Sequence, residues 1–289
     1  MEHRNNGRAI AAMLIAMSGF ILNDTLVKLS ADALPLGQII FVRGIISSIL
    51  IAIVCYVTCV FRLLPMLRHP AVLVRAAAET AATVFYLSAL FHLPIANATA
   101  ILQALPLVVT AGAAIFLKNK VGWRRWTAIA IGFVGILIIV RPGLQGFNAF
   151  SLLALAGVAC MAVRDLATQQ VPKEVPTFGV ALVSFIAVTT LGAGLTAVDG
   201  WQAMNLEMFG LLVGASLFII VGYIFIIIAM RTGEIAVVSP FRYSIVIWAI
   251  GLGFLVWGDV PDGLTLVGTS IVILMGIYTF FREQHITNG

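Results

Sequence analysis

Apolar residues in this chain run in stretches of about twenty, the length a helix needs to cross a bilayer core roughly 30 Å thick. Charge, Pro and Gly interrupt them and predict helices at about 8–29, 37–60, 70–91, 95–117 and 124–141. The second half repeats the count at about 149–169, 177–197, 207–230, 235–257 and 263–281. Two junctions, Leu93-Pro94 and Thr232-Gly233, are marked by turn residues alone. The segment beginning near Arg8 leads directly into a second hydrophobic segment and so reads as a retained first helix.

Shifting the sequence on itself by 140 or 141 residues lays these blocks over one another. Asn23-Asp24 falls on Arg164-Asp165, Tyr86 to Ala89 on Ile226 to Ala229, and Ile95-Ala96 on Ile235-Ala236. A unit of five crossings must insert its second copy upside down. The predicted fold is therefore an all-α integral membrane protein of ten transmembrane helices in two inverted five-helix repeats, 1–145 and 146–289. The basic loop from Lys118 to Arg125 aligns with the acidic loop from Asp259 to Asp262, as copies facing opposite sides would.

Composition excludes a soluble domain: 61% of the 289 residues are hydrophobic, 10% are charged, and the mean hydropathy is +1.09. The net charge of +5 reads as membrane orientation and not as nucleic-acid binding. With the N-terminus placed in the cytoplasm, Arg4, Arg8, Arg62, Arg68, Lys118, Lys120, Arg124, Arg125, Lys173, Arg231 and Arg282 fall inside, and Arg141 falls outside. Lys28, Arg43, Arg75, Arg164 and Arg242 lie within spans. Both termini are thus expected in the cytoplasm. Cys55, Cys59 and Cys160 sit in apolar runs and read as reduced packing residues.

Several short motifs then recur in a familiar order: Tyr86-Leu-Ser-Ala-Leu, Ala96 to Pro106, Trp123-Arg-Arg-Trp126, Gly132-Phe-Val-Gly135 and Arg141-Pro-Gly143. Gly233-Glu-Ile-Ala-Val-Val-Ser-Pro-Phe-Arg-Tyr243 and Gly258-Asp-Val-Pro-Asp262 complete the pattern. In this order they resemble the drug/metabolite transporter superfamily, specifically its EamA-type ten-helix bacterial exporters. The resemblance implies an inverted-repeat carrier in the bacterial inner membrane that commonly exports amino acids or related metabolites. The chain departs from the pattern at Lys118-Asn119, where that family often carries Gly-Glu.

An ionisable side chain at mid-bilayer costs about 2.5–3.5 kcal/mol on insertion scales, so each must face protein or a watery cavity. Asp24 with Lys28, and Arg75 with Glu79, are spaced to pair along one helix face. Arg75 is expected to snorkel to the interface. Glu79 is expected either to pair with Arg43 or to line the transport path. Asp24 and Asp165 occupy equivalent places in the two halves; with Arg43 and Arg164 they are candidates for gates or structural ion pairs. Arg242 follows Ser239-Pro240, where the missing proline donor can open the helix to a cavity. It is the leading candidate for a substrate carboxylate, a bridge to Asp165 or Glu79 being the competing use. Gln103 is a candidate for a neutral hydrogen bond near the same place, a helix–helix contact being the alternative. Tyr86, Tyr223, Tyr243 and Trp248, with Phe85 and Phe225, are candidates for an apolar wall, helix packing being the alternative. Trp123, Trp126 and Trp201 read as interfacial anchors.

His3, His69, His92 and His285 are scattered among ends and loops, which argues against a metal site or an enzyme, and no phosphate-binding loop is present for ATP drive. No cofactor is expected. The expected partners are membrane lipid and a small-molecule substrate, amino acids first, with no nucleic acid; a monomer is compatible with the sequence. The expected function is export of amino acids and related metabolites by alternating access. Uptake or exchange of a nucleoside-like metabolite is the alternative.

Overall fold

The computed structural model describes residues 6–58, 60, 66–118, 122–142, 148–172, 174–232 and 235–287. Arg4, Arg62, Lys120, Lys173, His3, Cys59 and the Gly233-Glu234 pair lie outside the described residues, as do the side chains of Arg231, Arg282 and His285. Prolines set the start of four helices, because a fixed φ and a missing N–H suit a first turn and little else. Pro35 precedes α2 (Leu36–Val57), Pro70 opens α3 (Pro70–His92), Pro94 precedes α4 (Ile95–Leu102), and Pro176 precedes α8 (Thr177–Asp199). Asn205 caps α9 (Leu206–Thr232) by accepting from the Met208 amide at 2.8 Å. Asp262 caps α12 (Gly263–Thr287) the same way through Thr265, also at 2.8 Å.

With α1 (Asn6–Ser30), α5 (Leu105–Phe116), α6 (Trp123–Val140), α7 (Phe150–Gln169), the single turn α10 (Ile235–Val238) and α11 (Ser244–Trp257), these make the bundle. Among the described residues, ten helical spans are long and apolar enough to cross a membrane, and none is a strand. Two spans are broken. Pro106 cannot donate to the Leu102 carbonyl, and the fourth span turns at Gln103-Ala104 between α4 and α5. Pro240 interrupts the ninth span, where Ser239–Tyr243 forms a 3-10 segment between α10 and α11. The sequence anticipated the second break and treated the fourth span as continuous.

The main packings are α1 with α9, α2 with α8, α3 with α7, and α6 with α12; α4 meets α11. Exchanging the first five spans for the last five carries this set onto itself. Glycine makes the α6–α12 crossing close: a Cβ on Gly135 would stand 2.9 Å from the Gly268 carbonyl oxygen, and one on Gly268 2.6 Å from that of Gly135. Cys55 and Cys160 carry free thiols.

Successive spans run in opposite directions, so the bundle has an end where α1 starts and an end where it finishes. The second of these is knit shut. Lys28 Nζ donates to the Leu90 and Leu93 carbonyls, both at 2.6 Å, and sits 5.6 Å above the Trp257 ring. Gln38 exchanges two 2.9 Å hydrogen bonds with the main chain of Gln202. Arg141 ends α6 in the left-handed conformation (φ 52°, ψ 53°) and its guanidinium pairs with Asp262. That hydrogen bond, with the Thr265 amide, holds the Asp262 carboxyl well below the usual carboxylate range.

Candidate functional site

The polar residues of α3 recur at Arg75, Glu79, Thr83 and Tyr86, one stripe at helical spacing, and all four line a central cavity of about 620 Å³. Arg164, Asp165 and Thr168 of α7 form a second such stripe on its wall. The breaks in the fourth and ninth spans deliver Gln103 and Arg242 to the same space, because a side chain beside an interrupted helix need not follow the helical repeat. The cavity runs from the middle of the bundle towards the end where α1 starts, marked by Arg75, Thr168, Met230 and Phe280.

Most of the candidates singled out in the sequence meet here: Asp24, Arg43, Arg75, Glu79, Tyr86, Gln103, Arg164, Asp165, Tyr223, Arg242 and Tyr243. Trp248 does not. It is 46% exposed, and at about 100° per residue it falls outside the arc of α11 formed by buried Ile245, Val246, Ala249 and Gly253. Phe85 and Phe225 also stand outside the wall.

The ion pairing differs from the expected one in three places. Arg75 does not snorkel: it is 9% exposed, donates to Thr168 Oγ1 at 3.1 Å and to Ser184 Oγ, and lies 3.8 Å from Glu79. Glu79 takes both of its close bonds from Arg164 Nη1, at 3.3 Å to each oxygen, and not from Arg43. Arg164 Nε also reaches Asp165 at 2.8 Å, so one guanidinium joins two carboxylates. Asp24 leaves Lys28 to the backbone carbonyls and accepts from Tyr86 Oη at 3.0 Å and Asn23 Nδ2 at 2.8 Å. Arg43 Nη1 donates to Asn23 Oδ1 at 3.0 Å. Intrahelical spacing alone could not show these partners, since the stronger ones come from neighbouring helices.

Arg242 is the exception. Its side chain has exposed surface in the cavity, and among the described residues no carboxylate lies within 4 Å of it. At full ionisation the wall holds four guanidiniums (Arg43, Arg75, Arg164, Arg242) and three carboxylates (Asp24, Glu79, Asp165), leaving one positive charge in excess. Tyr243 lies against Gly276, where any added Cβ would collide with its phenol. Tyr223 is held edge-on by Phe20 and Phe185, at 5.9 and 5.7 Å between ring centres. The site thus joins an exposed guanidinium to an aromatic wall. Among the described residues no cluster of metal-ligating side chains occurs.

Comparison with known proteins agrees with this architecture. A protein of known crystal structure superimposes with a TM-score of 0.61 over 95% of this chain and 98% of its own, at 17% identity. The pseudopaline exporter CntI of Pseudomonas aeruginosa is 25% identical over 269 residues, covering 90% of this chain and 92% of that protein. A riboflavin transporter of Vibrio cholerae is 29% identical over 185 residues, 64% of this chain and 62% of its own. An S-adenosylmethionine uptake transporter of Rickettsia bellii is 27% identical over 197 residues, 66% of this chain and 65% of its own. The profile of the EamA-like transporter family matches twice, at residues 7–141 and 149–282, and the chain belongs to that family, a multi-pass membrane transporter and not an enzyme.

Proposed function

We propose that this protein is a secondary transporter of the bacterial inner membrane that exports amino acids and related carboxylate metabolites by alternating access. The observation that carries the reading is Arg242, a guanidinium exposed to the cavity with no carboxylate within 4 Å among the described residues. A substrate carboxylate supplies the missing charge through paired N–H···O bonds, Gln103 adds a neutral contact, and Tyr223 and Tyr243 meet the apolar part.

The halves 1–145 and 146–289 are read as inverted repeats. Exchange symmetry of the packing supports this, as does the contact of Ser48 and Thr189, 141 residues apart, whose hydroxyls lie 3.3 Å from each other. Residues related by a two-fold axis touch only where they sit on it. With both termini cytoplasmic, the cavity faces inward and the closed end faces out. Export then begins with substrate entering this cavity, and proceeds by opening the outer contacts as the inner half closes.

The test is flux of labelled amino acids into proteoliposomes of the purified protein, beside Arg242→Ala and empty vesicles. Saturable flux at least tenfold lower in the variant supports the reading. No flux above empty vesicles, from protein with a normal melting transition, overturns it. The cavity volume favours one further reading: 620 Å³ is the size of sites for drug-sized molecules, and two of the relatives are named for riboflavin and S-adenosylmethionine. Under that reading, uptake or exchange of a nucleoside-like metabolite, S-adenosylmethionine or riboflavin competes where amino acids do not.

A further inference from the structure

Two of the four cavity guanidiniums are committed to the protein: Arg164 to Glu79 and Asp165, and Arg75 to Thr168, Ser184 and Glu79. Arg43 is not. It lies two turns into α2 from the sealed end, is 7% exposed and lines the cavity, and among the described residues no carboxylate stands within 4 Å of it. Its guanidinium makes one hydrogen bond there, from Nη1 to Asn23 Oδ1 at 3.0 Å. Its Nε and Nη2 pair with nothing among the described residues, yet neither is fully enclosed, so both keep surface that a ligand can reach. A guanidinium held out of water without a counter-charge is disfavoured, and an anion that completes it removes the penalty.

We propose that Arg43 is the ligand of a second substrate carboxylate, so that the carrier selects dicarboxylic amino acids, with one acid group on Arg242 and the other on Arg43. The proposal rests on the carboxylate-carrier reading and deepens it. The charge of the wall agrees. A dicarboxylic amino acid carries one net negative charge and matches the one positive charge in excess, whereas the carboxylate and ammonium of a neutral amino acid cancel and leave that excess standing. The ammonium has its own place at Asp24, which accepts from the neutral donors Tyr86 and Asn23 and, among the described residues, has no Lys or Arg nitrogen within 4 Å. Asn23 joins Asp24 to Arg43, so this carboxylate stands at the Arg43 end of the substrate. Arg242 enters from the break in the ninth span and Arg43 from α2, so the two acid groups are drawn to different walls and an extended substrate is favoured over a compact one.

The experiment measures ligand-induced thermal stabilisation of the full chain by leucine and by an acidic series, aspartate, glutamate and 2-aminoadipate, in wild type, Arg43→Gln, Arg43→Lys and Arg242→Ala. Arg43→Gln removes the charge; Arg43→Lys keeps the charge and loses the planar fork. The best acidic probe is expected to bind wild type about tenfold more tightly than leucine, the value of one charge-assisted contact. Arg43→Gln should abolish that margin with leucine unchanged, Arg43→Lys should keep part of it, and Arg242→Ala should weaken every probe. No margin in wild type, or a margin undiminished in whichever Arg43 variant has a normal melting transition, overturns the role of Arg43 and leaves the carrier reading standing. Failure of folded wild type to bind any of the probes overturns the carrier reading and this one with it.

Discussion

Arg164 and Arg242 are guanidiniums of one cavity with different work to do. Arg164 is held by Glu79 and Asp165, so it is a structural tie between α3 and α7. Removing one partner of a buried ion pair strands the other charge at a cost of about 3–5 kcal/mol. Glu79→Ala is therefore expected to lower the melting temperature markedly, because among the described residues Arg164 keeps one carboxylate and Arg75 keeps none within 4 Å. Arg242→Ala removes a charge with no carboxylate within 4 Å among the described residues and should melt near wild type while losing transport. Thermal unfolding of the two variants side by side distinguishes the roles. The sequence made most of these residues legible, because an ionisable residue inside an apolar run needs a reason to be there. It did not make their partners legible: Asp24 and Lys28 are well spaced to pair, yet each finds a better bond on another helix.

Between helices, the decisive residues are those with no side chain. The apolar blocks placed all ten spans within a few residues, since hydrophobic length is the dominant constraint on a membrane helix. Periodicity was less informative about faces, because lipid and protein interior are both apolar. Trp248 illustrates this: an aromatic in a span reads equally well as cavity wall or lipid contact, and only the helix rotation decides. The α6–α12 pairing depends on Gly135 and Gly268, which face each other with no room for a methyl group. Gly268→Val is expected to force the two helices apart and lower stability, seen as an earlier melting transition, whereas Gly210→Ala, with open space around its Cβ position, should be neutral.

For the molecule as a whole, the cavity lies towards one end and the bonds that exclude solvent lie at the other. Those bonds tie elements of both halves: Lys28 reaches Trp257, Gln38 reaches Gln202, and Arg141 reaches Asp262. The Asp262 carboxyl, depressed by Arg141, contributes stability above the ordinary carboxylate range and loses it only as pH falls through the lower folded value. This closure should accordingly be indifferent to pH through the neutral range. If the carrier alternates access as proposed, Gln38→Ala removes one tie and should bias it towards the opposite opening, read as faster labelling of a cysteine introduced at Asn23 by an impermeant reagent applied from the side where α1 ends. The Gln38 bond also has an asymmetric heredity. Its partner is the peptide backbone at position 202, which every residue except proline supplies in full. The fastening is thus written in a single codon: Gln202→Ala leaves both bonding groups in place, while Gln38→Ala removes them.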